Sequence, residues 1–282
     1  MNIHLNKALR YIEHDLNDTL NVEALAQKAG YSKFHFSRIF KNRFGESVME
    51  YAKRLRIEKS ALHILRPSSL AGSVYEAGYE TSAGFYKAFK KRFGMTPFEY
   101  KTKKTAFWKD FLPRLKNQPK IVYVEKKKVV FKRAVGEYDK SIDQAWESLF
   151  GQIHQLSQKY HGKTDIRLTL ENTEFFGICH DDPSVTEACR IRYDACIASG
   201  ENEIRFLVDN GFEIKTIPSG KYAMVVHNED GGDGLEGWFG LAGWIIENGY
   251  TFGSEASFEK YIQIVPSAEE CVFDSELYIS LE

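Results

Sequence analysis

The feature that most constrains this chain is a segment that occurs twice. Val22–Gly45 reads VEALAQKAGYSKFHFSRIFKNRFG, and Val74–Gly94 reads VYEAGYETSAGFYKAFKKRFG. Ala29-Gly30-Tyr31 returns as Ala77-Gly78-Tyr79; Phe40-Lys41 and Phe44-Gly45 return as Phe89-Lys90 and Phe93-Gly94. A motif repeated at near-constant spacing marks one supersecondary unit used twice. In the first copy Leu25, Ala26 and Ala29 fall on one helical face. Gly30 supplies a sharp turn, Ser32 an N-cap, and Phe36, Ile39, Phe40 and Phe44 a buried stripe on a second, basic helix. Such a helix-turn-helix can place its second helix in a DNA major groove. An αα-hairpin with a merely solvated basic face is the plain alternative, and the recurrence of the pattern argues against it.

Charge divides the chain in the same way. Residues 1–112 hold 20 Lys+Arg against 11 Asp+Glu, and the remainder holds 18 against 28, so a balance of +9 faces one of -10 within a total of -1. The front half suits a polyanion and the back half does not. The four cysteines all lie in the back half without a CxxC pair, and the eight histidines show no HxxxH or HExxH spacing, so neither a metal nor a disulfide framework is expected. No cofactor is expected: the GxSxG and P-loop motifs do not occur. The start of the chain does not read as a signal peptide and no apolar run approaches a membrane span, so the expected setting is the cytoplasm, with no membrane partner.

Before the first repeat, Leu5, Leu9, Ile12 and Leu16 at helical spacing predict a helix packed across it. After it, Val48, Tyr51, Leu55, Leu62 and Leu65 predict a long spacer helix ending before Pro67, with Lys53, Arg54, Arg56 and Lys59 either solvated or reaching phosphates. Met95-Thr96-Pro97 is expected to open one more helical turn to Tyr100.

These residues carry a resemblance to the DNA-binding domain of the AraC/XylS family of transcription regulators. The matching stretches are LAxxAGYS, FxRxFK, FG, YxxxxR, the second AGY, the second FKxxFG and Thr-Pro-x-x-Tyr. The resemblance implies two helix-turn-helix units, at about 22–45 and 73–94, set on neighbouring major grooves of promoter DNA, and RNA polymerase as a further partner. It assigns DNA contact to Lys33, Phe34, Ser37, Arg38 and Lys41 of the first unit, to Arg56 of the spacer, and to Thr81, Ser82, Lys87, Lys90 and Lys91 of the second. Arg38 suits bidentate contact with a guanine edge. In the second unit Ser82, Ala83 and Gly84 stand where longer polar readers are usual, so phosphate anchoring by Lys87, Lys90, Lys91 and Arg92 is expected there more than base reading.

The back half predicts strand, helix, strand, strand, twice. The first set is Val129–Val135, a helix near Asp143–Tyr160, Glu174–Cys179 and Cys189–Ala198. The second is Lys221–His227, a helix near Leu235–Asn248, Phe258–Val265 and Cys271–Leu281. A duplicated βαββ unit favours an antiparallel sheet with helices on one side and a cleft along the join. The expected fold is therefore an all-α domain over 1–106 with two helix-turn-helix units, a connector over 107–120 whose Phe107, Trp108, Phe111 and Leu112 dock on a domain, and an α+β domain over 121–282.

The second domain resembles the GyrI-like effector-binding family through Gly136-x-Tyr138, Phe176-Gly177-Ile178, EACRIRYDACI, Gly220-Lys221-Tyr222, Phe258-Glu259-Lys260-Tyr261 and Glu276-Leu277-Tyr278-Ile279. One departure is the loop HNEDGGDGLEG, which lacks the tyrosine expected near Asp233. The resemblance implies a small, hydrophobic or cationic effector held by aromatics and a buried glutamate. The residues nominated are Trp146, Tyr193, Tyr222, Trp238, Tyr261 and Tyr278, with Glu276 as counter-charge; aromatic packing is the competing explanation for each ring. The expected function is a sequence-specific, non-enzymatic transcription regulator. A GyrI-like hydrolase tethered to a DNA-binding module, and a general DNA-packing protein without effector, are the alternatives.

Overall fold

The computed structural model describes residues 3–14, 16, 20–66, 72, 74, 75, 77–160, 172–228, 234–266 and 271–282, with side chains placed for most of them. The packing separates two compact units, residues 1–103 and 104–282.

In the first unit α1 (Ile3–His14), α2 (Val22–Lys28), α3 (Lys33–Phe44) and α4 (Val48–His63) enclose a core of Leu5, Leu9, Ile12, Leu16, Leu25, Phe36, Phe40, Tyr51 and Leu55. α5 (Ser82–Phe93) follows, then α6 (Pro97–Phe111), of which residues 97–103 belong to this unit. Local chemistry sets the ends. Asn21 Oδ1 accepts from the backbone N–H groups of Glu23 and Ala24 at the start of α2, and Ser32 and Thr81 cap α3 and α5 in the same manner. Each such cap is worth about 0.5–2 kcal/mol. Gly30 and Gly78 turn the chain at φ 70° and 73°, where a side chain is strained.

The duplication reaches further than the repeated motif. Ser47 and Glu50 form a reciprocal capping box at the start of α4, and Thr96 and Glu99 form its counterpart at α6. Tyr51 meets Phe40 edge-on at 5.4 Å, and Tyr100 meets Phe89 edge-on at 5.5 Å. The predicted helix ahead of the first copy is present, and α4 is the predicted spacer. Pro67 lies outside the described residues, as do residues 73 and 76 of the second copy. One expectation is corrected. The single turn to Tyr100 is a 15-residue helix, because the capping box starts it well and no proline intervenes before Pro113.

The second unit is built on an eight-stranded antiparallel sheet among the described residues: β1 (Lys120–Val124), β2 (Lys127–Val135), β3 (Glu174–Cys179), β4 (Arg192–Ala198), β5 (Glu213–Ile217), β6 (Gly220–Asn228), β7 (Ser257–Pro266) and β8 (Cys271–Ser280). Their order is β1-β6-β8-β7-β3-β4-β2-β5. The connections force this sheet to curl. β1 and β2 stand near opposite edges but are joined by Glu125-Lys126, and β5 and β6 by Pro218-Ser219. Two linking residues span only ~10 Å, so the edges must approach each other. The inner face encloses Val129, Phe131, Phe176, Ile178, Cys196, Tyr222, Met224, Phe258 and Tyr278. The outer face carries α7 (Tyr138–Tyr160), α8 (Glu201–Asp209) and α9 (Leu235–Glu247).

The two predicted βαββ sets are β2-α7-β3-β4 and β6-α9-β7-β8. β1, α8 and β5 were not foreseen, and α7 begins five residues earlier than expected, at Tyr138. Residues 107–111 continue α6, and Phe107, Trp108 and Phe111 dock on Phe239 and Phe252. α9 lets them approach through glycine. A Cβ on Gly240 would lie 2.6 Å from Leu115, and one on Gly243 would overlap the Trp108 carbonyl.

Candidate nucleic-acid interface and effector cleft

In the first unit α3 buries Phe36 and Phe40 and turns Lys33, Phe34, Arg38 and Lys41 outward, with Ser37 half-buried between them. Phe34 is 87% exposed, the most exposed large apolar side chain among the described residues. Arg38 Nη2 lies 3.5 Å from His35 Nδ1. α5 repeats the arrangement with Phe85 and Phe89 inward and Thr81, Ser82, Lys87, Lys90 and Lys91 outward. Its register places Ala83, Tyr86 and Lys87 where α3 has Phe34, Ser37 and Arg38.

Three arginines, of which Arg56 and Arg92 were expected at DNA and Arg54 either solvated or at phosphates, are used inside the fold. Arg54 Nη2 pairs with Glu46 at 2.8 Å and its Nη1 with Glu58 at 3.0 Å, and Arg92 Nη2 reaches the other oxygen of Glu58 at 2.7 Å. Glu58 is 7% exposed, so these ion pairs fasten α5 to α4. Arg56 donates to the Leu16 carbonyl, and its guanidinium lies 3.4 Å from where a Cβ of Gly78 would stand. Carboxylates on Glu46 and Glu58, and the carbonyl of Leu16, draw these side chains inward.

In the second unit α7 lies over β4 and β2, and α9 over β6 and β8. Between them, at the join of the two repeats, β3 and β7 form the floor of a cleft. Glu259 rises from that floor, half-buried. Its Oε1 accepts from the Tyr193 hydroxyl at 3.1 Å and from the Tyr261 hydroxyl, and the two phenol oxygens stand 2.9 Å apart. Trp146 of α7 donates its indole N–H to Tyr193 at 3.2 Å and meets the Tyr261 ring edge-on at 5.5 Å. Phe150 stacks on Trp146 at 5.4 Å, and Phe175 and Tyr138 complete the wall. Burial first, and then the charge of Glu259, pushes the Tyr193 and Tyr261 phenols well above their ordinary range, so both remain protonated donors. Burial likewise keeps the nearby Cys179 thiol protonated. The result is one carboxylate among rings, an arrangement that favours a cation by Coulomb attraction and by the ring faces.

The nominated residues separate into two groups. Trp146, Tyr193 and Tyr261 come together on the outer face. Tyr222, Glu276 and Tyr278 lie on the inner face, where Phe258 stacks on Tyr278 at 4.5 Å, Tyr222 meets Phe258 at 5.3 Å, and the Tyr278 hydroxyl donates to Glu276 Oε2 at 2.6 Å. Trp238 stands half-buried on α9 and makes no hydrogen bond or ring contact with the Glu259 cluster among the described residues. The carboxylate that meets Trp146, Tyr193 and Tyr261 is Glu259, which stands in the motif Phe258-Glu259-Lys260-Tyr261, whereas the nominated Glu276 meets Tyr278 on the other face. Alternation along β7 put Glu259 and Tyr261 on one face, but which face of the sheet carries the helices is set by pairing that the local pattern does not contain. Residues 229–233, where the departure near Asp233 falls, lie outside the described residues.

Each of the two units matches a known family. Residues 117–282 match the family described as the GyrI-like small molecule binding domain. The chain belongs to the GyrI-like family. Ahead of the GyrI-like unit, residues 25–103 match a helix-turn-helix domain family. Transcriptional regulator Rob of Salmonella typhimurium is 32% identical over 104 residues, 36% of this chain and 35% of that protein, so only about a third of Rob's length is spanned. The protein named Probable transcription factor PqrA, of Proteus vulgaris, is 31% identical over 100 residues, 34% of this chain and 82% of PqrA. The crystal structure of the EcmrR C-terminal domain is 20% identical and covers 60% of this chain and 99% of that one, with a TM-score of 0.43. Among the described residues no helix is long and apolar enough to cross a membrane, and no group of three or more His, Cys, Asp or Glu could hold a metal ion.

Proposed function

We propose that this chain is a promoter-binding transcription regulator whose GyrI-like unit binds a small, flat organic cation. The observation that carries the effector reading is Glu259, held by two phenols and walled by Trp146, Phe150 and Phe175 in the cleft between α7 and α9. The DNA reading draws on the two outward basic helix faces and on the likeness to Rob and PqrA. In this reading α3 reads bases through Lys33, Phe34, Ser37, Arg38 and Lys41, while α5 anchors phosphates through Lys87, Lys90 and Lys91. Arg56 is left out of the DNA-contacting set because its guanidinium is committed to Leu16 and the Gly78 turn. RNA polymerase in the cytoplasm is the further partner this role calls for.

Footprinting the full chain on its own upstream region, with and without a panel of organic cations, tests the proposal. A protected site whose extent or affinity changes with at least one cation supports it, and uniform protection of random DNA reduces the protein to a packing role. A hydrolase reading draws on the same acid, since Glu259 with two phenols has the groups to position a water. Steady turnover of an electrophilic ester or epoxide by the full chain, abolished by Glu259→Gln, would decide for that reading.

A further inference from the structure

Gly177 sits in the middle of β3, paired with Ala195 of β4 on one side and Glu259 of β7 on the other. A glycine inside a strand weakens it and calls for a reason. The backbone supplies none, because Gly177 is not among the glycines with positive φ. Space supplies it. A Cβ built on Gly177 would lie 2.8 Å from Tyr193 Cζ, and closer still to the Tyr193 hydroxyl and to Glu259 Oε1. Real Cβ atoms essentially never approach within 3.0 Å. Tyr193, opposite Cys179 on β4, leans diagonally across this bare patch to reach the carboxylate.

We infer that Gly177 is the positioning residue of the effector site. The missing side chain is the cradle in which the Tyr193 hydroxyl and the Glu259 carboxylate lie flat against the sheet. Without it the acid is lifted into the cleft and parted from its phenol, so the charge meets a ligand at the wrong depth and the space for the ligand shrinks. The inference rests on the cation-binding reading of Glu259.

The full chain is titrated calorimetrically with 1-methylquinolinium and with 1-methylnaphthalene, a neutral molecule of nearly the same shape. Gly177→Ala should weaken the cation by about tenfold or more, as expected when a charge-assisted contact is misplaced, and should disturb the neutral probe less. Combining Gly177→Ala with Glu259→Asp should recover part of the cation affinity, because the shorter acid withdraws from the new methyl, although Glu259→Asp alone should lower it. That reversal of sign is not expected of a glycine that matters only for folding. Should Gly177→Ala not fold, it is placed in a Tyr193→Leu background, which removes the nearest clash, and cation affinity equal to that of Tyr193→Leu alone would overturn the positioning role. Wild-type affinity in Gly177→Ala overturns the positioning role while leaving Glu259 in place. If the wild type and Glu259→Gln bind the cation equally, or the wild type binds neither probe, the cation-binding reading falls and this inference with it.

Discussion

The two βαββ copies of the second unit differ most where they meet. Laid over one another through β3–β4 and β7–β8, Phe176 falls on Phe258, Gly177 on Glu259, Asp194 on Glu276 and Ala195 on Leu277. On the inner face the copies agree in kind, since each offers a phenylalanine to the core and a carboxylate at the matching place. On the outer face they disagree at the centre, where one copy supplies an acid and the other no side chain at all. The two copies agree in strands and core, and the proposed ligand site falls where they are unequal. The first unit shows the same pattern. α3 and α5 keep their phenylalanines, caps and left-handed C-terminal glycines, while Phe34, Ser37 and Arg38 of one face Ala83, Tyr86 and Lys87 of the other.

The largest predicted effect sets Asp194 against Glu276. Asp194 is fully buried, with Arg133 paired bidentately at 2.6 and 3.0 Å, His180 at 2.7 Å and Lys215 in contact. Asp194→Asn leaves two half-buried cations, Arg133 and Lys215, without their counter-charge and should cost about 3–5 kcal/mol in chemical denaturation. Glu276→Gln keeps the bond from Tyr278 and should cost less than ~1 kcal/mol. Equal costs would end the claim that the two inner-face acids are counterparts with unequal burdens.

Acid titration sharpens the same contrast. Burial foremost, against the pull of Asp194 and with the push of Lys215 and Arg133, lowers His180 from 6.5 to about 4. The unfolded chain therefore takes up a proton between those values that the folded chain refuses. Stability is complete above about 6.5 and falls as the pH drops toward 4, by up to ~3 kcal/mol. Below that, Asp194 and Asp181, both held below the ordinary carboxylate range in the folded chain by Arg133, Lys215 and Arg192, add a further loss as they protonate. His180→Gln should flatten the upper part of the stability–pH curve and leave the lower part. An unchanged upper slope would mean that His180 is not the proton acceptor.

For the helix-turn-helix copies, Arg38→Ala should cost roughly 1–3 kcal/mol on the specific site and much less on random DNA, whereas Lys87→Ala should weaken both alike. Equal losses from Arg38→Ala on the two DNAs would make α3 as unspecific as its partner. The smallest effects are expected of Lys90→Ala and Lys91→Ala, each lowering the salt slope of binding by about one. Arg92→Ala should instead lower stability, since its charge is spent on Glu58.

Much of this was legible in the residues. The repeated AGY and FG fixed both helix-turn-helix copies because glycine at positive φ and phenylalanine at helical spacing are local demands. Binary alternation found six strands of the sheet. β1, α8 and β5 escaped because five-residue strands and a nine-residue helix carry little periodic signal. In the candidate site the nominated Trp146, Tyr193 and Tyr261 meet one another beside Glu259, while the nominated Glu276 lies with Tyr278 on the opposite face. Both glutamates alternate with aromatics in their strands, and only long-range pairing separates a face covered by helices from one closed by curling. The inward arginines escaped for a related reason: Arg54, Arg56 and Arg92 look like a solvated stripe until Glu46, Glu58 and the Leu16 carbonyl are brought beside them.

The central claim is that the acid at the join of the copies is the one that meets the effector. Calorimetric titration of 1-methylquinolinium into the full wild-type chain, Glu259→Gln and Glu276→Gln tests it most directly. The account predicts that Glu259→Gln loses about 1–3 kcal/mol of binding, as when a hydrogen-bonded charge is neutralised, while Glu276→Gln binds as the wild type does. Loss in Glu276→Gln with full binding by Glu259→Gln would contradict it and move the effector to the inner face of the sheet.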